Sequence, residues 1–138
     1  MSRALPVPDR DSTPWWEALR RHELTLQRCR DCERLRWPAR AICNRCGGLA
    51  WDWTPASGRG RIATWLVNHH TFGGTYESPS TAVQVRLVEQ DDIVIPGAWD
   101  GPPDGRGLEV DLPVTLRFED LPGEGGETVT LLRWAPAD

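Results

Sequence analysis

Cys29-Arg30-Asp31-Cys32 and Cys43-Asn44-Arg45-Cys46 hold every cysteine of this chain, as two C-x2-C pairs separated by ten residues. Two residues between sulfurs let one tight turn aim both at a single ion. Two such turns facing each other supply a tetrahedron, the geometry that Zn2+ accepts. Four thiolates leave no coordination position for water or substrate, so the expected metal is structural. Iron, as in a rubredoxin-like site, is the competing occupant of the same four sulfurs. Disulfides require an oxidising compartment, and Met1 to Arg10 carries no apolar export segment. A redox C-x-x-C follows a strand in a βαβ unit and needs only one pair. The expectation is one Zn2+ per chain, held by Cys29, Cys32, Cys43 and Cys46.

A chain of 138 residues makes one compact unit or two very small ones. A metal knuckle of about 20–25 residues cannot bury a sufficient core, so the ion substitutes for one. No apolar run approaches the roughly 20 residues of a membrane span, and the chain reads as soluble and cytoplasmic. Charge is divided unevenly. Residues 1–50 carry ten arginines against six acids, residues 51–138 six arginines against fourteen acids, and there is no lysine. The basic front is either an ordinary solvated surface or a contact surface for phosphate or an acidic partner. The acidic remainder argues against broad nucleic-acid binding, which needs a basic stripe.

Outward from the cysteines, the chain divides into an extended arm at 1–11, a helix and metal ribbon at 12–56, and a barrel at 57–138. Thr13-Pro14 reads as a helix start, with Thr13 as N-cap and Pro14 at the first helical position. Trp15, Trp16 and Leu19 share one side of a short helix ending near His22. Glu17 falls in the first turn and Arg20 and Arg21 in the last. Residues 24–27 form a strand entering the first metal turn, and 51–53 a strand leaving the second. Beyond the Ser57-Gly58-Arg59-Gly60 punctuation the pattern is all strand: 62–70, 81–88, 93–95, 113–118 and 127–134. Pro96-Gly97 marks a bulge or an edge. Five short strands with turns between them suggest a small closed barrel, and five is the strand count of an OB-fold.

Nothing in the chain assembles a catalytic constellation. His69 and His70 are adjacent on the predicted strand and point to opposite faces. Asp91-Asp92 and Glu119-Asp120 read as solvated turns at strand ends. Trp15, Trp16, Trp37, Trp51, Trp53 and Trp65 cluster around the metal turns and helix. They form either an aromatic mini-core or anchors for a partner protein. Aromatic platforms on OB-folds also stack bases, which keeps a single-stranded nucleic-acid-binding module as the alternative function.

These residues resemble a known family. Trp15-Trp16-Glu17-Ala18-Leu19, Leu26-Gln27-Arg28-Cys29-Arg30-Asp31-Cys32, Trp37-Pro38-Ala39-Arg40 and Cys43-Asn44-Arg45-Cys46-Gly47 are similar to the zinc-ribbon/OB-fold proteins of domain of unknown function 35. So are Ser57-Gly58-Arg59-Gly60, Ile95-Pro96-Gly97-Ala98-Trp99 and Leu112-Pro113-Val114, so that the resemblance covers about residues 12–136. Two positions depart from it: Glu33 stands where glycine usually follows the second cysteine, and Asn44 where proline often follows the third.

The resemblance implies a mainly β protein: a short N-terminal helix, a rubredoxin-like zinc ribbon and a five-stranded OB barrel. It implies a non-catalytic accessory subunit of acyl-CoA enzymes. It would dock on a thiolase-superfamily partner, such as a lipid-transfer-protein-type aldolase of steroid side-chain degradation, or on a MaoC-type hydratase. The barrel would help form the acyl-CoA channel. The candidate partner or CoA contacts are Trp37 and Arg40 on the loop between the metal turns, and Phe72 and Tyr76 on the 71–80 loop.

Overall fold

In the computed structural model, residues 4–71 and 77–138 are described. One helix, α1 (Thr13–Arg20), precedes eight strands: β1 (Thr25–Cys29), β2 (Leu35–Arg36), β3 (Trp51–Pro55), β4 (Arg59–Asn68), β5 (Ser80–Leu87), β6 (Val94–Trp99), β7 (Pro113–Pro122) and β8 (Thr128–Pro136). The first three strands make a small antiparallel sheet, ordered β2-β1-β3. The last five close a barrel in the order β4-β5-β6-β8-β7. Every barrel pairing is antiparallel except β6 with β8. The protein is therefore mainly β: one short helix, a four-cysteine zinc ribbon and a closed five-stranded barrel.

The helix starts one turn earlier in its bonding than Thr13-Pro14 suggests. Asp9 and Ser12 cap each other: the Ser12 N–H donates to Asp9 Oδ1 at 2.7 Å and the Asp9 N–H to Ser12 Oγ at 3.1 Å. This reciprocal arrangement satisfies two otherwise orphaned donors. Ser12, not Thr13, is the cap residue, and Thr13 instead donates its hydroxyl to the Asp9 carbonyl. No acid lies in the first turn, so Glu17 does not complement the helix dipole there. The Ser12 hydroxyl, then its backbone N–H, hold the Asp9 carboxyl below the usual range. The helix ends at Arg20, and His22, two residues beyond, takes φ 60.

Trp15 and Leu19 of α1 and Leu24 and Leu26 of the ribbon belong to the same core as Ile62, Val83, Val85, Ile95, Trp99 and Trp134 of the barrel. One hydrophobic core thus serves ribbon and barrel. β5 shows the period-two logic: Thr81, Val83, Val85 and Leu87 are buried and the residues between them exposed. Trp65 packs on this core from β4, and Trp99 and Trp134 lie inside it, so three of the tryptophans serve the barrel.

Several strand boundaries move. β2 has only two residues, too few for a periodic signal. β6 runs straight through Pro96-Gly97, and the irregularity lies instead on β4 between Ile62 and Thr64. Gly97 is there for closeness: a Cβ would sit 2.6 Å from Trp134 Cδ1. β4 ends at Asn68, so His69 and His70 lie beyond it, exposed, and not on opposite faces of a strand. Glu119-Asp120 is mid-strand in β7, not a turn.

Ribbon and barrel are also joined by polar contacts. His22 stacks on Phe118, with ring centroids 4.9 Å apart and planes at 4°, and its Nε2 lies 3.0 Å from Asp120 Oδ2. Thr130 donates its hydroxyl to the same carboxylate at 2.6 Å. Arg34 pairs with Asp92, and Gln90 reaches Leu35.

Candidate metal centre

The two cysteine turns are built alike. In the first, the Glu33 N–H donates to the Cys29 carbonyl at 2.9 Å and the Cys29 N–H to the Arg34 carbonyl at 3.0 Å. In the second, the Gly47 N–H donates to the Cys43 carbonyl and the Cys43 N–H to the Gly48 carbonyl, both at 2.9 Å. The fifth residue of each turn has positive φ, 64° at Glu33 and 77° at Gly47. The departure at Glu33 is thus a non-glycine residue in a left-handed conformation, which costs about 1–2 kcal/mol. The fold of the turn survives it.

The sulfurs of Cys29, Cys32, Cys43 and Cys46 all lie within 4.8 Å of one another. Cys29 Sγ is 3.6 Å from Cys46 Sγ, and Cys32 Sγ 3.7 Å from Cys43 Sγ. Sulfurs about 2.3 Å from a tetrahedral ion stand about 3.8 Å apart, so the separations match a closed four-sulfur site. No disulfide consumes these sulfurs. Backbone N–H groups already favour thiolates. Those of Cys46 and Arg45 lower the Cys43 pKa to about 6, and those of Cys32 and Asp31 lower that of Cys29. The Gly48 N–H also favours the Cys46 thiolate, but the Cys29 sulfur, burial and the remaining sulfurs outweigh it and push Cys46 up to about 12. Four sulfurs this close can all ionise only around a cation, and the donor set fits a thiophilic divalent ion.

Among the contact candidates, Trp37 is half-buried, its ring 5.9 Å from that of Trp15. It serves the core at least in part. Arg40 is exposed while its backbone is clamped: its N–H donates to Gln27 Oε1 at 2.8 Å, and its carbonyl accepts from Gln27 Nε2 at 3.1 Å and Arg36 Nη2 at 2.8 Å. Phe72 and Tyr76 lie outside the described residues. Gln27 and Arg36 are the residues the sequence reading overlooked. A polar residue alternating with Leu26 inside a strand was the available signal for Gln27; Arg36 offered none. Between ribbon and barrel a cleft of about 240 Å3 is lined by Leu24, Pro55, Ala56, Leu116 and Phe118, with His22 at its edge. Among the described residues no helix is long and apolar enough to cross a membrane.

A four-cysteine ribbon ahead of a five-stranded barrel defines a zinc-ribbon/OB-fold protein. The ChsH2 rubredoxin-like zinc ribbon profile matches residues 16–52, and the ChsH2 C-terminal OB-fold profile residues 53–119. The chain belongs to the ChsH2 family, within domain of unknown function 35. The structure titled "Ltp2-ChsH2(DUF35) aldolase" is similar at TM-score 0.82 and 30% identity, over 96% of this chain and 99% of that one. A DUF35-family protein of unknown function from Sulfolobus solfataricus shares the fold, at TM-score 0.61 and 13% identity, over 93% of this chain and 86% of that one. A Thermomonospora curvata protein named "Probable enoyl-CoA hydratase alpha subunit" is 32% identical over 114 residues, 83% of this chain. The chain spans only about a third, 35%, of that relative's length.

Proposed function

We propose that this protein is a non-catalytic accessory subunit that docks on a thiolase-superfamily enzyme acting on an acyl-CoA. A lipid-transfer-protein-type aldolase of steroid side-chain degradation is the first choice of partner. The observation that carries the reading is the match to the aldolase complex over essentially the whole of the ChsH2(DUF35)-type chain. The hydratase name of the longer relative keeps the assignment within acyl-CoA chemistry. Its two parts divide at residue 56, the ribbon docking the partner and the barrel bordering the acyl-CoA path.

In this reading Cys29, Cys32, Cys43 and Cys46 hold one Zn2+, which closes the ribbon and presents no open position for substrate. The chain's own residues do the rest. Gln27 and Arg36 fix the Arg40 backbone, so the Arg40 side chain projects from a rigid loop, and little ordering entropy is lost when it meets a carboxylate or phosphate. Trp37 braces that loop against Trp15. Phe72 and Tyr76 are assigned to the acyl-CoA side.

The test is reconstitution with the aldolase-type partner. The chain alone should turn over no acyl-CoA, and adding it should raise the partner's activity or solubility. Arg40→Ala, with zinc and fold retained, should weaken co-purification or raise the acyl-CoA KM. Full co-purification with unchanged KM would remove the ribbon from the docking surface. Turnover by the purified chain, abolished by a single substitution, would overturn the accessory role.

A further inference from the structure

We infer that the buried guanidinium of Arg36 is the counter-charge of the metal centre and ties metal binding to the 37–42 loop. The inference rests on the four-sulfur reading above. Arg36 is only 5% exposed. Its Nη2 donates to the Arg40 carbonyl, and its guanidinium carbon lies 5.3 Å from the Trp51 ring centroid. Its Nε and Nη1 are buried and meet no acceptor among the described residues. A guanidinium does not shed its proton, so this is a permanent cation in a buried site. Burying such a charge is strongly unfavourable unless an opposite charge is near. The Trp51 face offers only a weak attraction.

The sheet register supplies the missing anion. Arg36 stands opposite Gln27, and Cys29 follows two residues along β1 on the same face. Trp51 stands opposite Cys29. By register, Arg36, Trp51 and Cys29 therefore share one face of the sheet, with Arg36 and Cys29 buried and Trp51 half-buried. Four thiolates around a divalent ion leave a dianionic cluster, and on its buried side, at Cys29 and Cys43, solvent cannot compensate that charge. Of the neighbouring arginines, Arg30 pairs with Asp52 at 2.7 Å and Arg28 with Glu33 at 3.4 Å, and Arg45, inside the second cysteine turn, is exposed to solvent; Arg36 alone of these four is buried. Arg36 is a buried cation that meets no carboxylate among the described residues, and Cys29 and Cys43 are the buried members of the anionic cluster, Cys46 lying exposed. Because Nη2 also holds the Arg40 carbonyl, losing the metal strands the cation beneath the loop and releases it.

Full-length Arg36→Gln, Arg36→Met and Arg36→Lys proteins separate charge from hydrogen bonding. Stoichiometry is measured first at saturating Zn2+, then affinity by competition with a chromophoric chelator. The Gln and Met variants should bind Zn2+ about 10- to 100-fold more weakly, the range for lost second-layer partners, while Lys retains most of the affinity. Gln can still donate to the Arg40 carbonyl. If it binds as tightly as the parent, the bond and not the charge matters, and the inference is overturned. A second readout answers a variant that folds poorly without metal. In protein refolded with iron, removing a nearby cation should lower the Fe3+/Fe2+ potential, by about 59 mV for each tenfold preference of the guanidinium for the more negative cluster. The Gln and Met variants should shift down and Lys should not; equal potentials in all four proteins would also overturn it. A parent protein taking up no Zn2+ at saturation would instead overturn the metal centre itself, and the inference with it.

Discussion

Gln90, on the turn between β5 and β6, gives Leu35 the hydrogen bonds that a neighbouring strand would. The Leu35 N–H donates to Gln90 Oε1 at 3.1 Å, and Gln90 Nε2 donates to the Leu35 carbonyl at 2.7 Å. One side-chain amide thus satisfies both backbone groups at the open edge of the two-residue strand β2, and it does so from the barrel. Gln90→Ala should lower stability by about 1–2 kcal/mol, the range for unmaking such bonds. Urea unfolding checks it; a change below about 0.3 kcal/mol would mean that water replaces the amide.

Glu33→Gly should stabilise the protein by roughly 0.5–1 kcal/mol. Glycine adopts φ 64 without the Cβ penalty, though it also gains entropy in the unfolded chain. The exposed Arg28–Glu33 pair that is lost contributes little. Thermal melts of the zinc-loaded proteins give the sign, and a lower Tm for the glycine variant would contradict the strain argument.

Removing the metal should unfold the ribbon. Cys43→Ser, or a strong chelator, should abolish Zn2+ binding and expose Trp15 and Trp37, because metal binding free energy here, on the order of 10 kcal/mol, is folding free energy. Tryptophan fluorescence and metal analysis report it together. A folded ribbon at zero metal, or an iron spectrum in freshly purified protein, would count against structural zinc.

Acid should loosen the contacts between ribbon and barrel. Arg34, then Gln90, hold the Asp92 carboxyl below its ordinary value, and Thr130, then His22, do the same for Asp120. Both pKa values are lower folded than unfolded, so the unfolded chain takes up protons first. Their contribution is complete above the unfolded value of about 3.9 and is lost as pH falls through the folded values. Asp120→Asn should flatten this acid limb; an unchanged acid transition in that variant would remove Asp120 from the account.

The metal turns and the barrel were legible because their signals are local. C-x2-C spacing states ligand geometry directly, and alternation such as Thr81-Ala82-Val83-Gln84-Val85 states a strand with one buried face. What stayed hidden depends on distant partners. Gln27, Arg36 and Gln90 are polar residues whose roles come from an Arg40 carbonyl, a Trp51 ring and a Leu35 edge brought close by folding. Asp120 read as a turn acid because its partners, His22 and Thr130, lie 98 and 10 residues away. The helix cap moved from Thr13 because Asp9 and Ser12 form a reciprocal pair without the Glu or Gln that marks such caps.

The central claim is most directly tested by affinity capture of the full chain from its native host at moderate salt, with the co-purifying protein identified by mass spectrometry and assayed on acyl-CoA substrates. The account predicts a thiolase-superfamily subunit in fixed stoichiometry, whose acyl-CoA activity or solubility falls when this chain is removed. Recovery of single-stranded nucleic acid, released steeply as salt rises, with no acyl-CoA enzyme bound, would contradict it.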